Sequence, residues 1–175
     1  MLKKLLFIAT LISFFSCSKK SDEISPVNLK GKWYLSYIFT YRQEEGKSPL
    51  QATMNGWPED NIIVFNEDGT CKFQKLYIDT YGFNIFGNEN YSGTYQLSGN
   101  NVTLQLTENG EKIFLDLTYN KVSATEMELN QEKAQILSGL EKSKTAIGQE
   151  TFNDAQAFAN QYKTYKISNT FIKME

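Results

Sequence analysis

The chain has 175 residues, 22% of them charged and 14% aromatic, with a formal charge of −2 at pH 7. A mildly acidic balance gives no basic face for nucleic acid. The absence of histidine excludes imidazole acid–base catalysis, Ser/His and Cys/His nucleophile systems, and His-ligated zinc or iron.

The chain begins with Lys3-Lys4, a mostly apolar stretch from Leu5 to Phe15, and Ser16-Cys17. That stretch is too short to span a bilayer as a helix, which takes roughly 20 apolar residues, and reads as a secretory leader. A small residue, then Cys17, then the polar run Ser18 to Glu23, resembles a bacterial lipoprotein signal. The resemblance implies cleavage after residue 16, acylation of the Cys17 thiol and a lipid-anchored envelope protein, with covalent lipid on Cys17 and no other cofactor. Two or three acyl chains, at about 0.8 kcal/mol per buried CH₂, hold a soluble passenger on a membrane. The expected organisation is therefore a leader (1–16), a lipidated tether (17–28) ending near Pro26, and one domain (29–175). Loss of the leader takes Lys3 and Lys4 with it and leaves 16 basic against 20 acidic side chains, a charge of −4. Cys71 is then the single free thiol, so no internal disulfide forms. Its alternating neighbourhood, Cys71-Lys72-Phe73-Gln74, predicts a buried structural thiol.

From Gly31 to Tyr41 the odd positions are Trp33, Leu35, Tyr37, Phe39 and Tyr41, which predicts a strand with one aromatic face. Arg42 to Asp60, with two Gly and two Pro, reads as a long loop carrying Trp57. Strands are expected at Asn61 to Phe65 and Thr70 to Ile78, joined by the turn Asn66-Glu67-Asp68-Gly69. The cleanest period-two signal follows: Tyr91 to Leu97, Asn101 to Thr107 (Val102, Leu104 and Leu106 on one face) and Lys112 to Tyr119 (Ile113, Leu115, Leu117 and Tyr119 on one face). Ser98-Gly99-Asn100 and Asn109-Gly110 supply the turns, because Asn-Gly accepts the positive φ of a type I′ hairpin. A short strand at Glu126 to Asn130 presents Met127 and Leu129. Residues 131–147 are helix-like, with Ile136, Leu140 and Ile147 at helical spacing and Gly139 against it. Thr151 to Tyr162 has a firmer stripe of Phe152, Ala155, Phe158, Ala159 and Tyr162, and Thr151 with Asp154 suggests its capped start. Whether 131–163 is one helix or two is open. A last strand runs from Lys163 to Met174. The predicted fold is mainly β, an antiparallel up-and-down barrel of about eight strands with a helical insertion before the last strand.

The opening Leu29-x-Gly31-x-Trp33, the hairpin Phe65-Asn66-Glu67-Asp68-Gly69-Thr70, and the later Gly93-Thr94-Tyr95 and Val102-Thr103-Leu104 together resemble the lipocalin-like lipoproteins of Bacteroidetes, within the lipocalin and calycin superfamily. The resemblance covers Leu29 to Asn130 and the last strand. It implies that Gly31 and Trp33 close one end of the barrel and that the outer membrane is the protein's location, on its periplasmic or surface face. In lipocalins an Arg after the last strand stacks on that Trp; here Lys173 stands nearest to that place. The mid-barrel Thr-Asp-Tyr motif is missing, and the 131–163 insertion exceeds the usual connection.

An eight-stranded barrel is either filled by its side chains or holds one small ligand, and the sequence leaves both open. The aromatics Trp33, Tyr37, Phe39, Phe65 and Phe73 are expected to face inward. The segment Asp79 to Asn88 sets Tyr81, Phe83, Ile85 and Phe86 between glycines, so these groups either cap the barrel mouth or meet a partner, with Trp57 joining them, or the segment is an irregular strand packed on the core. Candidate ligand-binding residues are thus Tyr37, Phe39, Trp57, Phe73, Tyr81, Phe83 and Phe86. No catalytic set is expected, since Asp79, Glu89, Asp116 and Glu126 fall on separate elements. No metal site is expected either: Asp68-Gly69 is turn chemistry, and calcium's six to eight oxygen ligands are not in view. The leading expectation is a barrel that binds a small apolar or amphipathic ligand. The alternative is a filled barrel that contacts an envelope or host protein through loop 81–86 and helix 151–162.

Overall fold

The computed structural model describes residues 28–79, 81–84, 89–108 and 110–175. Cys17, the leader, most of the tether, Phe86 and Asn109 lie outside the described residues. In chain order the elements are β1 (Gly31–Gln43), β2 (Leu50–Asn55), β3 (Ile62–Phe65), β4 (Thr70–Gln74), β5 (Tyr77–Asp79), β6 (Gly82–Asn84), β7 (Tyr91–Ser98), β8 (Asn101–Glu108), β9 (Glu111–Lys121), β10 (Glu126–Glu132), α1 (Lys133–Ile147), α2 (Gln149–Asn160) and β11 (Thr164–Lys173). Among the described residues, eight strands run antiparallel in the order β1-β3-β4-β7-β8-β9-β10-β11, and β11 returns to β1 to close the barrel. The insertion is two helices, both before the final strand.

The period-two segments form the wall as their pattern dictates. Val102, Leu104 and Leu106 on β8, Ile113, Leu115 and Leu117 on β9, and Met127 and Leu129 on β10 are all buried. The β8–β9 hairpin pairs Glu108 with Glu111, so its loop has two residues, and Gly110 has φ +85°. Cys71 and Phe73 point into the core. Burial pushes the Cys71 thiol up to about 12, so the native protein holds no thiolate at ordinary pH. It is expected to resist iodoacetamide at pH 8 and to be alkylated at once in denaturant, a contrast that peptide mass mapping would read. Rapid native labelling would show that strand β4 opens.

Trp33 is buried at the end where the chain enters, and its indole N–H donates to the Leu29 carbonyl at 2.8 Å. Lys173, paired across β11 from Trp33, holds its ammonium 5.5 Å from the centroid of that ring. The lysine covers the tryptophan face as a point charge, a contact worth about 0.5–1 kcal/mol at an exposed site.

Four expectations need correction. First, β1 does not keep one phase. Its pairing with β11 slips between Leu35 and Tyr37, a bulge at Ser36, and one extra residue turns every later side chain to the opposite face. Ile38 is buried, whereas Tyr37 and Phe39 are only half-buried and alternate with it; they do not join Leu35 on the inner face. Second, the 42–60 segment contains β2, which pairs with the distal half of β1, while β3 takes the proximal half. They act as one interrupted strand, with Trp57 in the interruption. Third, the strand predicted over 70–78 ends at Gln74, because Lys75 takes φ +52°, and Tyr77–Asp79 pairs with Gly82–Asn84 as a separate hairpin. Fourth, α2 starts at Gln149 behind Gly148 rather than at a Thr151 cap.

Candidate functional site

The barrel's axis is occupied by its own aromatics. The β5–β6 hairpin turns inward and delivers Phe83, 5% exposed, between two wall residues. The Phe83 ring stacks on Phe73 with centroids 5.8 Å apart and meets Phe171 edge-on at 5.6 Å, spacings favourable for aromatic pairs. Tyr81, on the same hairpin, lies half-buried against Phe158 of α2 at 5.0 Å. Phe158 in turn touches Tyr162 and Tyr165. The apolar loop and the α2 helix thus cover each other at the mouth. The bulge also brings Arg42 to this cluster, its guanidinium carbon 5.8 Å from the Phe158 ring and 5.7 Å from the Tyr162 ring.

A second feature is set by the parting of β9 and β10. β10 pairs with β9 only over Thr118 to Lys121, so the first half of β9 presents an unpaired edge that a soluble protein must cover. Helix α1 covers it. The Ser143 hydroxyl accepts a hydrogen bond from the Phe114 N–H at 2.8 Å and donates to the Gly139 carbonyl at 2.7 Å. Gly139 is the reason the helix comes this close: a Cβ there would lie 2.8 Å from the Phe114 carbonyl oxygen. The helix-weakening glycine in the sequence is a packing requirement.

Asp116 anchors the same helix to the strand. It accepts from Ser138 at 2.7 Å, from Lys142 at 2.5 Å and from Thr103 at 2.9 Å, with its side chain only 14% exposed. Burial by itself raises the Asp116 carboxyl, but the bonds from Lys142, Ser138 and Thr103 and the lysine charge outweigh it and hold the group below the ordinary carboxylate range. A lowered folded-state value stabilises the protein above the unfolded value near 3.8, and that contribution is lost as pH falls through the folded value. Asp116→Asn is expected to lose about 1–2 kcal/mol at pH 7 and to shrink the stability difference between pH 7 and pH 3, as read by urea unfolding at both values.

Where β9, α1 and β5 meet, the wall opens into a partly open cleft of about 320 Å³. Ile78, Ile113, Ile136, Leu140, Ala146 and Ile147 supply its apolar lining; Gln131, Ser143, Thr151 and Tyr77 are its polar groups. Two more open depressions have charged residues in their lining. A groove beside β11 carries Lys133, Lys163 and Lys166, but these are engaged by the Tyr162 carbonyl, Glu45 and Glu132. The other lies along β4 and β7 beside Lys72 and Lys75.

Of the residues singled out from sequence, Phe73, Tyr81 and Phe83 come together in or beside the barrel axis. Tyr37 and Phe39 sit on the other face of β1, Trp57 is 66% exposed on the surface, and Phe86 lies outside the described residues. Gln131 and Arg42 were missed. Gln131 continues the inward Met127 and Leu129 alternation, which would have flagged it; Arg42 was hidden by the bulge.

A profile of the lipocalin-like domain matches residues 29–130, the stretch that builds β1 through β9 and most of β10. The chain belongs to the lipocalin-like domain family. No curated protein sequence matches it. Among solved structures, this lipocalin-like chain is similar to a polyisoprenoid binding domain from Saccharophagus degradans implicated in plant cell wall breakdown, at 10% identity and a TM-score of 0.30, over 81% of this chain and 98% of that one. The family match ends before the helices and β11, so α1 and the cleft beneath it lie at the border of the shared fold and this chain's insertion.

Proposed function

We propose that this lipocalin-like protein is a lipid-anchored envelope lipoprotein, held by acyl chains on Cys17 at the outer membrane, that binds a small apolar or amphipathic ligand. The binding site is the cleft at the parting of β9 and β10 rather than the barrel axis. One observation carries the choice: Phe83 packs inside the barrel between Phe73 and Phe171, while the cleft offers about 320 Å³ with six aliphatic residues in its lining. That volume falls at the lower end of the roughly 300–1,000 Å³ of ligand pockets. The role proposed is retention, in keeping with a lining that combines aliphatic side chains with hydroxyls and a carboxamide. Native mass spectrometry of the purified protein after incubation with a lipid extract of its own organism tests the reading. A discrete added mass that Leu140→Trp abolishes supports it; a bare protein at every extract concentration overturns it. Metabolic labelling with an alkyne fatty acid, lost in Cys17→Ala, tests the anchor.

One observation favours a second role as an interaction protein. The β2 edge away from β1 has no strand partner among the described residues, and β2 is exposed along most of its length. An envelope or host protein that adds a strand there would pair with its main chain, and cross-linking through β2 would identify it.

A further inference from the structure

The cleft's lining holds a polar group that nothing among the described residues answers. Gln131 is 2% exposed and lines the cleft, yet its Oε1 has no hydrogen-bond partner. Buried polar groups are normally paired, and the other polar groups nearby do not serve it. Ser143 is committed to Phe114 and Gly139. Gly82, at the turn of the β5–β6 hairpin, faces the carboxamide with no side chain, and a Cβ there would lie 2.5 Å from Oε1. The hairpin approaches Gln131 closely and gives it no partner.

Resting on the ligand site proposed above, we infer that the ligand carries a neutral hydrogen-bonding head, a hydroxyl or primary amide, seated against the Gln131 carboxamide, with its apolar body along α1. A carboxamide both donates and accepts, and a hydroxyl matches either end of it. Charged heads are disfavoured by the lining. Among the described residues no Lys, Arg, Asp or Glu lines the cleft, so an ammonium or carboxylate would be desolvated without a counter-charge from them. The volume suits a medium-length chain. The class of ligand is therefore a medium-chain alcohol, glyceride or amide, not a free fatty acid or a phospholipid.

Isothermal titration of the purified protein with 1-octanol, octyl methyl ether and octanoate tests this. Octanol is expected to bind about tenfold more tightly than the ether, as one buried hydrogen bond supplies, with octanoate weakest at pH 8. Gln131→Leu should bind alcohol and ether equally. Equal binding of alcohol and ether by the wild-type protein overturns the inference and leaves the apolar site standing. No binding of any of the three overturns both. If Gln131→Leu does not fold, the wild-type protein still decides: the Gln131 side-chain amide resonance shifts with octanol and not with the ether if the contact is made, and an unmoved resonance overturns it.

Discussion

Phe83→Ala is expected to lower folding stability by about 3–5 kcal/mol, the range for removing a buried ring from a packed core. The residue is almost fully buried, stacks on Phe73 and meets Phe171, and belongs to a hairpin of two three-residue strands. A two-stranded hairpin this small is marginal by itself. Phe83 is therefore both the filling of the barrel axis and the anchor of the hairpin. Urea unfolding followed by circular dichroism reads the loss as a lower midpoint. A loss under about 1 kcal/mol, far below the core range, would show that the hairpin does not fill the barrel, and would return the axis to consideration as the ligand site.

Gly56→Ala is expected to be nearly as damaging although it adds a single methyl group. A Cβ at Gly56 would fall well inside contact distance of the Leu35 carbonyl oxygen, a backbone atom that cannot swing aside. The approach is close because the Gly56 N–H donates to the Ser36 carbonyl at 2.6 Å, beside the Leu35 N–H donating to the Asn61 carbonyl at 2.8 Å. These two bonds hold the β1 bulge open between β2 and β3. Overpacking of this kind costs about 1–3 kcal/mol or more. At roughly 2–4 °C per kcal/mol for a domain of this size, Gly56→Ala should melt several degrees lower. An unchanged melting temperature would mean that the bulge tolerates rearrangement, and with it the placement of Tyr37, Phe39 and Arg42.

These two positions mark the boundary of what the chain discloses in one dimension. The hairpins β7–β8 and β8–β9, the strand β10 and the helix α2 were legible because their signals are local. Alternation of Val, Leu and Ile sets which face is buried, positive-φ glycines set the turns, and an apolar stripe sets the helix face. The buried thiol of Cys71 followed from the same period. The lipocalin-like family was legible because Gly31, Trp33 and the Asp68-Gly69 turn stand in order along β1 to β4.

The site was less legible. Phe73 and Phe83 were singled out and do meet, with Tyr81 of the same hairpin packed on Phe158, but the reason is the aromatic packing of a hairpin folded into the barrel. No local pattern encodes that direction. The sequence by itself determined the strand content, the alternation that makes a barrel wall, and the absence of histidine chemistry. Only the tertiary structure decided the rest. The bulge at Ser36 exists because its partners, Gly56 and Asn61, arrive from about twenty residues away, and a single unpaired residue reverses the phase of everything after it. The cleft exists because β10 leaves β9 after a few pairs and a helix takes the edge. Gln131 gains its meaning there: in sequence it is one more residue of an alternating strand, and in the fold it is a buried carboxamide in the lining of an apolar opening.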